Sequence, residues 1–179
     1  MDLRTRDIGI ALGWFALDQA TKLWTVASLD RSVVVVPGLF RLSRSDNAGA
    51  LFGIMADWPD AARLLLLTLL PLLAIAVIVA ILLRTPEQNG IARIGLALIL
   101  GGALGNVTDR VVRGFVIDFI DLHWSHEPIS GFLIRTFGTN RWPTFNVADT
   151  GLTCGATLLL ADLFRRRSAD GSTRASLPD

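Results

Sequence analysis

The sequence predicts an all-α membrane protein of four transmembrane helices, with a small β-sheet at the membrane surface. Three observations carry that prediction. Hydrophobic residues make up 51% of the 179-residue chain, and the mean hydropathy is +0.50. Only 18% of residues are charged, against about 25% in a typical soluble domain. Four segments reach the roughly 20 mostly apolar residues that a membrane-crossing helix needs. The same composition excludes other classes. Disorder needs low hydrophobicity and high net charge. The single cysteine, Cys154, allows no internal disulfide framework and no cysteine-cluster metal site. It lies among small apolar residues and reads as packing. A net charge of +1 gives no reason to expect nucleic acid as a partner.

The elements follow in order. The first span is expected over about 8–29, IGIALGWFALDQATKLWTVASL. A cleaved signal peptide is the competing reading. However, DQATK stands at 18–22, where a small-x-small cleavage site belongs, so an uncleaved span is preferred. The stretch 32–53 carries the strand-like runs VVVV and LFRL around Pro37-Gly38. The second span, 61–83, has no charge between Arg63 and Arg84, and its Pro71 is tolerable in a membrane helix. The third span, 91–107, contains Gly101, Gly102 and Gly105, which permit close helix packing. Residues 114–122, GFVIDFIDL, read as a second strand region lying with the first. Residues 123–143 read as a mobile loop, and 144–164 as the fourth span. The domain is expected to cover 1–167, with 168–179 a disordered tail. The density of flanking arginines, such as Arg4, Arg6, Arg84 and Arg165–Arg167, favours both termini inside.

Ionisable groups at bilayer depth are costly and are functional candidates by default. Asp18 and Lys22 lie four apart, on one helix face, where they can pair. They read equally as a structural ion pair or as functional groups. Asn106, Asp109 and Arg110 close the third span, either as an ordinary polar helix end or as part of a site. Apolar neighbours around Asp118 tend to raise its pKa. On a strand, Asp118 and Asp121 point to opposite faces, so only one can look into a given site. Asn146 makes a good N-cap for the fourth span, with Asp149 at N3.

The expected topology brings Asp109, Asp118 and Asp149 to one membrane face. Asp118 and Asp149 could then meet and share one proton. One carboxylate would deprotonate water while the other protonates the scissile carbonyl, which is aspartic-protease chemistry. That chemistry needs no metal and no cofactor. The only histidines, His123 and His126, lie in the loop and are a weak metal hint. A proton or ion relay through Asp18, Lys22 and Asp109, or a lipid-binding scaffold, are the competing classes.

The ordered series DQATK (18–22), DNAGALFG (46–53), GNVTDR (105–110), VIDFID (116–121) and FNVADTG (145–151) resembles lipoprotein signal peptidase, the type II signal peptidase family. The resemblance covers about residues 8–165. It implies an intramembrane aspartic endopeptidase of the bacterial inner membrane. Such an enzyme removes the signal peptide of lipid-modified prolipoproteins, cutting before the diacylglyceryl-modified lipobox cysteine. It implies Asp118 and Asp149 as the catalytic pair. It implies Asn47, Gly49, Asn106, Asp109, Arg110, Asn146, Ala148, Asp18 and Lys22 as substrate-binding or supporting residues. Asn106 and Asn146 are expected to bond the substrate backbone or orient the dyad, and Asn47 and Arg110 to hold the substrate. Asp18 and Lys22 are expected to stabilise the bundle beneath the site. The sheet and loop are expected on the periplasmic side, the termini in the cytoplasm, and the protein as a monomer among membrane lipids. The 123–143 stretch is longer than the family pattern leads one to expect, which bears on the lid rather than on the dyad.

Overall fold

The computed structural model describes residues 3–48 and 59–175. Gly49, one of the expected supporting residues, lies outside the described residues. The elements run α1 (Leu3–Ser28), β1 (Val33–Val36), β2 (Phe40–Asn47), α2 (Asp60–Arg84), α3 (Gly90–Arg113), β3 (Val116–Leu122), α4 (Ile129–Phe137) and α5 (Val147–Ala175).

Three helical segments are long and apolar enough to cross a membrane. They are Leu65–Arg84, Gly90–Arg113 and Val147–Arg166, with mean hydropathies of 3.1, 1.6 and 1.3. The fourth expected span falls on α1. That helix has 26 residues, about 39 Å at 1.5 Å per residue. Its length suffices, but it carries Asp7, Asp18 and Lys22, all buried. These charges lower its hydropathy while facing protein rather than the surroundings. α3 extends past the expected end at 107, so Asp109 and Arg110 are helical residues. α5 begins at Val147 rather than 144.

α3 is the hub, packing against α1, α2 and α5. Glycine makes this possible. A Cβ on Gly101 would lie 2.6 Å from the Ala11 carbonyl oxygen, and one on Gly95 would lie 2.8 Å from that of Gly155. Backbones therefore touch where side chains would hold them apart. The apolar core window of α2 has no fully buried residue, by comparison. With Leu69, Leu70 and Leu73 outward, it suits contact with lipid rather than with protein. Cys154, read as packing, instead faces outward on α5.

The strands form one antiparallel sheet of order β1-β2-β3, so the two strand-like regions do lie together. α3 ends at Gly114, whose φ of 80° forms a left-handed cap and turns the chain into β3. The segment before α5 then joins the sheet. Phe119 and Ile120 amides donate to the Phe145 carbonyl at 3.1 and 2.9 Å, and Phe145 returns a bond to Ile120 at 3.1 Å. That bridge sets Asn146 beside β3.

The 123–143 stretch is more ordered in its backbone than the sequence suggests. Its middle forms α4, where Glu127 accepts bonds from Ser130 Oγ and the Gly131 amide. Its first residues are tied to the β1–β2 turn, with His123 donating to Leu39 and Ser125 to Gly38 at 2.8 and 2.9 Å, and its last to the end of β3, with Trp142 donating to Leu122 at 2.9 Å. Gly131 disguised the helix in the sequence, and the local cap compensates for it. α5 continues as helix to Ala175, past the expected boundary at Arg167.

Candidate active site

The site forms where the C-terminal end of α3, strand β3 and the start of α5 converge. Asp118 projects from the middle of β3 and is only 2% exposed. Its Oδ2 accepts a bond from Asn47 Nδ2 at 3.0 Å. Its Oδ1 accepts one from Asn146 Nδ2 at 2.8 Å. The strand alternation holds. Asp121 pairs elsewhere, with Arg41 at 2.5 Å and Arg141 at 3.5 Å.

Asp149 is placed by a local device. Asn146 Oδ1 accepts the Asp149 amide at 3.0 Å, and Asp149 Oδ2 accepts the Asn146 amide at 3.2 Å. This reciprocal capping satisfies orphan donors at the start of α5. Its other oxygen, Oδ1, accepts from Asn106 Nδ2 at 2.8 Å. Asn146 thus bonds both carboxylates, Asp118 by its side chain and Asp149 by its backbone.

Beneath this layer lies a buried ionic network. Lys22 is fully buried, and its ammonium meets Asp18 Oδ2 at 2.9 Å, Asp109 Oδ2 at 2.9 Å and Asn106 Oδ1 at 3.0 Å. Three donors therefore find three acceptors. Asp18 Oδ1 accepts the Ala148 amide at 2.8 Å, another orphan donor of α5. Asp109 also pairs with Arg113 and accepts the Ile117 amide. Asn106 Oδ1 further accepts from Asn146 Nδ2 at 3.1 Å. A continuous chain of bonds thus runs from Asp18 through Lys22, Asn106 and Asn146 to Asp118 and Asp149.

Of the expected residues, ten are described, and nine of these share this network by hydrogen bond or ion pair. Arg110 is the exception. It is half-buried and its guanidinium makes no hydrogen bond or ion pair to any described residue, yet it lies within the field of Asp149, Asp118 and Asp109. Asn47, expected to hold the substrate, bonds Asp118. Ala148 takes part through its backbone. No group of three or more metal-ligating side chains occurs among the described residues.

Burial pushes the Asp118 carboxyl up to about 6. The Asn47 bond opposes this, the nearby Asp149 charge adds to it, and Asn146 and Lys22 oppose it.

Some supporting residues escaped the sequence reading. Gln19 donates to Asp18, to the Gly105 carbonyl and to Asp109. Trp14 Nε1 donates to the Val147 carbonyl at 3.0 Å, pinning the start of α5 to α1. Trp14 lies four residues before Asp18, so the i,i+4 rule offered a signal. Gly105 is equally constrained, since a Cβ there would run into the Asp18 carboxylate. Gly105→Ala is expected to lower stability by about 1–3 kcal/mol through this overpacking. A thermal melt unchanged from the parent would contradict it.

Solved structures share this architecture. A bacterial membrane enzyme determined by the in meso method at 2.3 Å is 26% identical, with a TM-score of 0.74 over 92% of this chain and 91% of its own. A second, at 1.9 Å, gives 25% identity and a TM-score of 0.71 over 89% and 92%. Fold and site together define a small helical membrane enzyme. The family model for signal peptidase II matches residues 10–165. The lipoprotein signal peptidase of Geobacter sulfurreducens is 38% identical over 89% of this chain and 93% of its own. That of Solibacter usitatus is 40% identical over 92% and 93%. The chain belongs to the signal peptidase II family, whose members remove signal peptides from prolipoproteins.

Proposed function

We propose that this protein is an aspartic endopeptidase that cuts lipid-modified prolipoproteins before the diacylglyceryl-modified lipobox cysteine. One observation carries the reading: Asn146 bonds both Asp118 and Asp149 at the end of the bundle. Asp118 holds the shared proton and donates it to the scissile carbonyl oxygen. Asp149 accepts a proton from the attacking water. The C–N bond then breaks as the leaving amine takes a proton back from the pair. Asn47, Asn106 and Asn146 fix the orientation of the two carboxylates. Arg110, with its guanidinium uncommitted among the described residues, bonds the substrate backbone.

Family membership and the length of α1 support α1 as a fourth span, its charges buried against α3 and α5. The reading places the protein in the bacterial inner membrane as a monomer. Both termini are cytoplasmic, and the sheet, α4 and dyad lie at the periplasmic side. Substrate lipid approaches from the bilayer, while its signal helix lies against the bundle.

The test is cleavage of a synthetic lipobox peptide with and without the diacylglyceryl group, by purified protein in lipid. Only the lipidated peptide should be cut, on the N-terminal side of its cysteine. Cleavage of both forms alike overturns the substrate assignment. The same assay checks the proton. Activity should fall as pH rises through about 6, as Asp118 ionises. Asn47→Ala removes a bond that favours the carboxylate, so this limb should move to higher pH. A limb that stays put or moves lower contradicts the role given to Asp118.

A further inference from the structure

The end of the bundle opposite the dyad holds a second feature. α2 and α5 both pack on α3, with little contact between them. Between their ends lies an open groove of about 440 Å³. Its walls are apolar, including Ile81, Leu159 and Leu163, and its rim carries Arg84 and Arg166. Asp162 lies in the floor, 3% exposed. It is neutralised twice over, by Arg165 at 3.0 Å and Arg166 at 2.6 Å.

The charges do not cancel. Arg84 and Arg166 against one Asp162 leave +1 on the groove lining. Glu87, in the adjoining turn, does not line it. Arg84 is exposed and makes no hydrogen bond or ion pair to any described residue. Asn89, the N-cap of α3, lines the groove and gives the first turn no side-chain cap. Apolar exposure continues from the groove onto Leu83, Leu160 and Phe164, at 66%, 56% and 62%. A cationic rim above an apolar cleft between membrane helices matches one chemistry, a phosphodiester carrying acyl chains. A zwitterionic headgroup would set its own cation against Arg84.

We propose that this groove is a binding site for an anionic phospholipid, with Arg84 and Arg166 holding the phosphodiester and the α2–α5 cleft taking an acyl chain. The site is separate from the dyad and is read without any activity measurement. The test is native mass spectrometry of the intact protein from nanodiscs of phosphatidylglycerol or of phosphatidylcholine. The parent should retain phosphatidylglycerol, and Arg84→Gln should retain about fivefold less, the effect of one basic side chain at an anionic surface. Phosphatidylcholine retention should be low in both. Because the Arg84 guanidinium has no partner among the described residues, the variant should melt like the parent. Equal retention of phosphatidylglycerol by parent and Arg84→Gln overturns the proposal. So does full displacement of the lipid by millimolar inorganic phosphate, which would mark a site for free phosphate alone.

Discussion

Asp118→Asn and Asp149→Asn are each expected to reduce prolipoprotein processing by about 10²–10⁴-fold, the range for loss of a positioned acid or base. Both variants should still insert in the membrane. The amide keeps the shape of the carboxyl and an acceptor oxygen for its neighbours, but it neither gives nor takes the proton. Asp118→Asn carries a second signature. The folded protein holds the Asp118 carboxyl at about 6, above its ordinary value of 3.8. The parent therefore enjoys the full stability of a protonated Asp118 below pH 4 and loses it as pH rises through about 6. Asparagine never ionises, so the variant should be more stable than the parent above pH 6, by up to about 3 kcal/mol. The two should melt alike below pH 4. A dead enzyme that is more stable at neutral pH cannot be explained as misfolded. Full processing by either single variant would sink the dyad.

Lys22→Met is expected to destabilise the fold by about 3–5 kcal/mol, the cost of removing one partner from a buried ion pair. Lys22 and Arg113 balance Asp18 and Asp109 in this network. Removing the lysine leaves one net negative charge where water does not reach. Asp18 keeps only the Ala148 amide and Gln19. Asn106 loses one of the two donors that steady its oxygen and keeps only Asn146, so its hold on the Asp149 carboxylate weakens too. Adding Asp18→Asn removes the excess charge and should restore part of the lost stability. A double variant no more stable than Lys22→Met would show that charge balance is not what Lys22 supplies. Thermal unfolding in detergent or lipid measures all three.

Much of the site was legible because its parts are local. Asp18 and Lys22 sit one helical turn apart, and Asn146 and Asp149 sit at capping spacing. Helix geometry alone predicts that each pair meets, and both pairs do. The alternation of a strand likewise separated Asp118 from Asp121. Elsewhere local rules were insufficient. Glu127 caps a helix within what reads as a mobile loop. The charges of α1 lower its hydropathy below that of the other long helices, and only packing shows them turned inward. Nothing local in the sequence tells that Asn47 bonds Asp118; the β2–β3 register, which pairs Asn47 with Val116, brings its side chain within reach. Asp7 and Arg93, 86 residues apart in the chain, form a buried pair at 2.5 Å that no local rule signals.

A low charged fraction against four apolar segments determined that this is a membrane protein, and made a few charges at bilayer depth conspicuous. The sequence also named which carboxylates could matter, since burying a charge without a partner is too costly to be incidental. It could not say which partners meet. Lys22 joins Asp109 because glycines let α3 approach α1 at backbone contact, Trp14 reaches Val147 across Gly151, and Asn146 joins Asp118 through the Phe145–Ile120 bridge. Contacts between residues far apart in the chain depend on how whole faces pack, and that is decided in three dimensions.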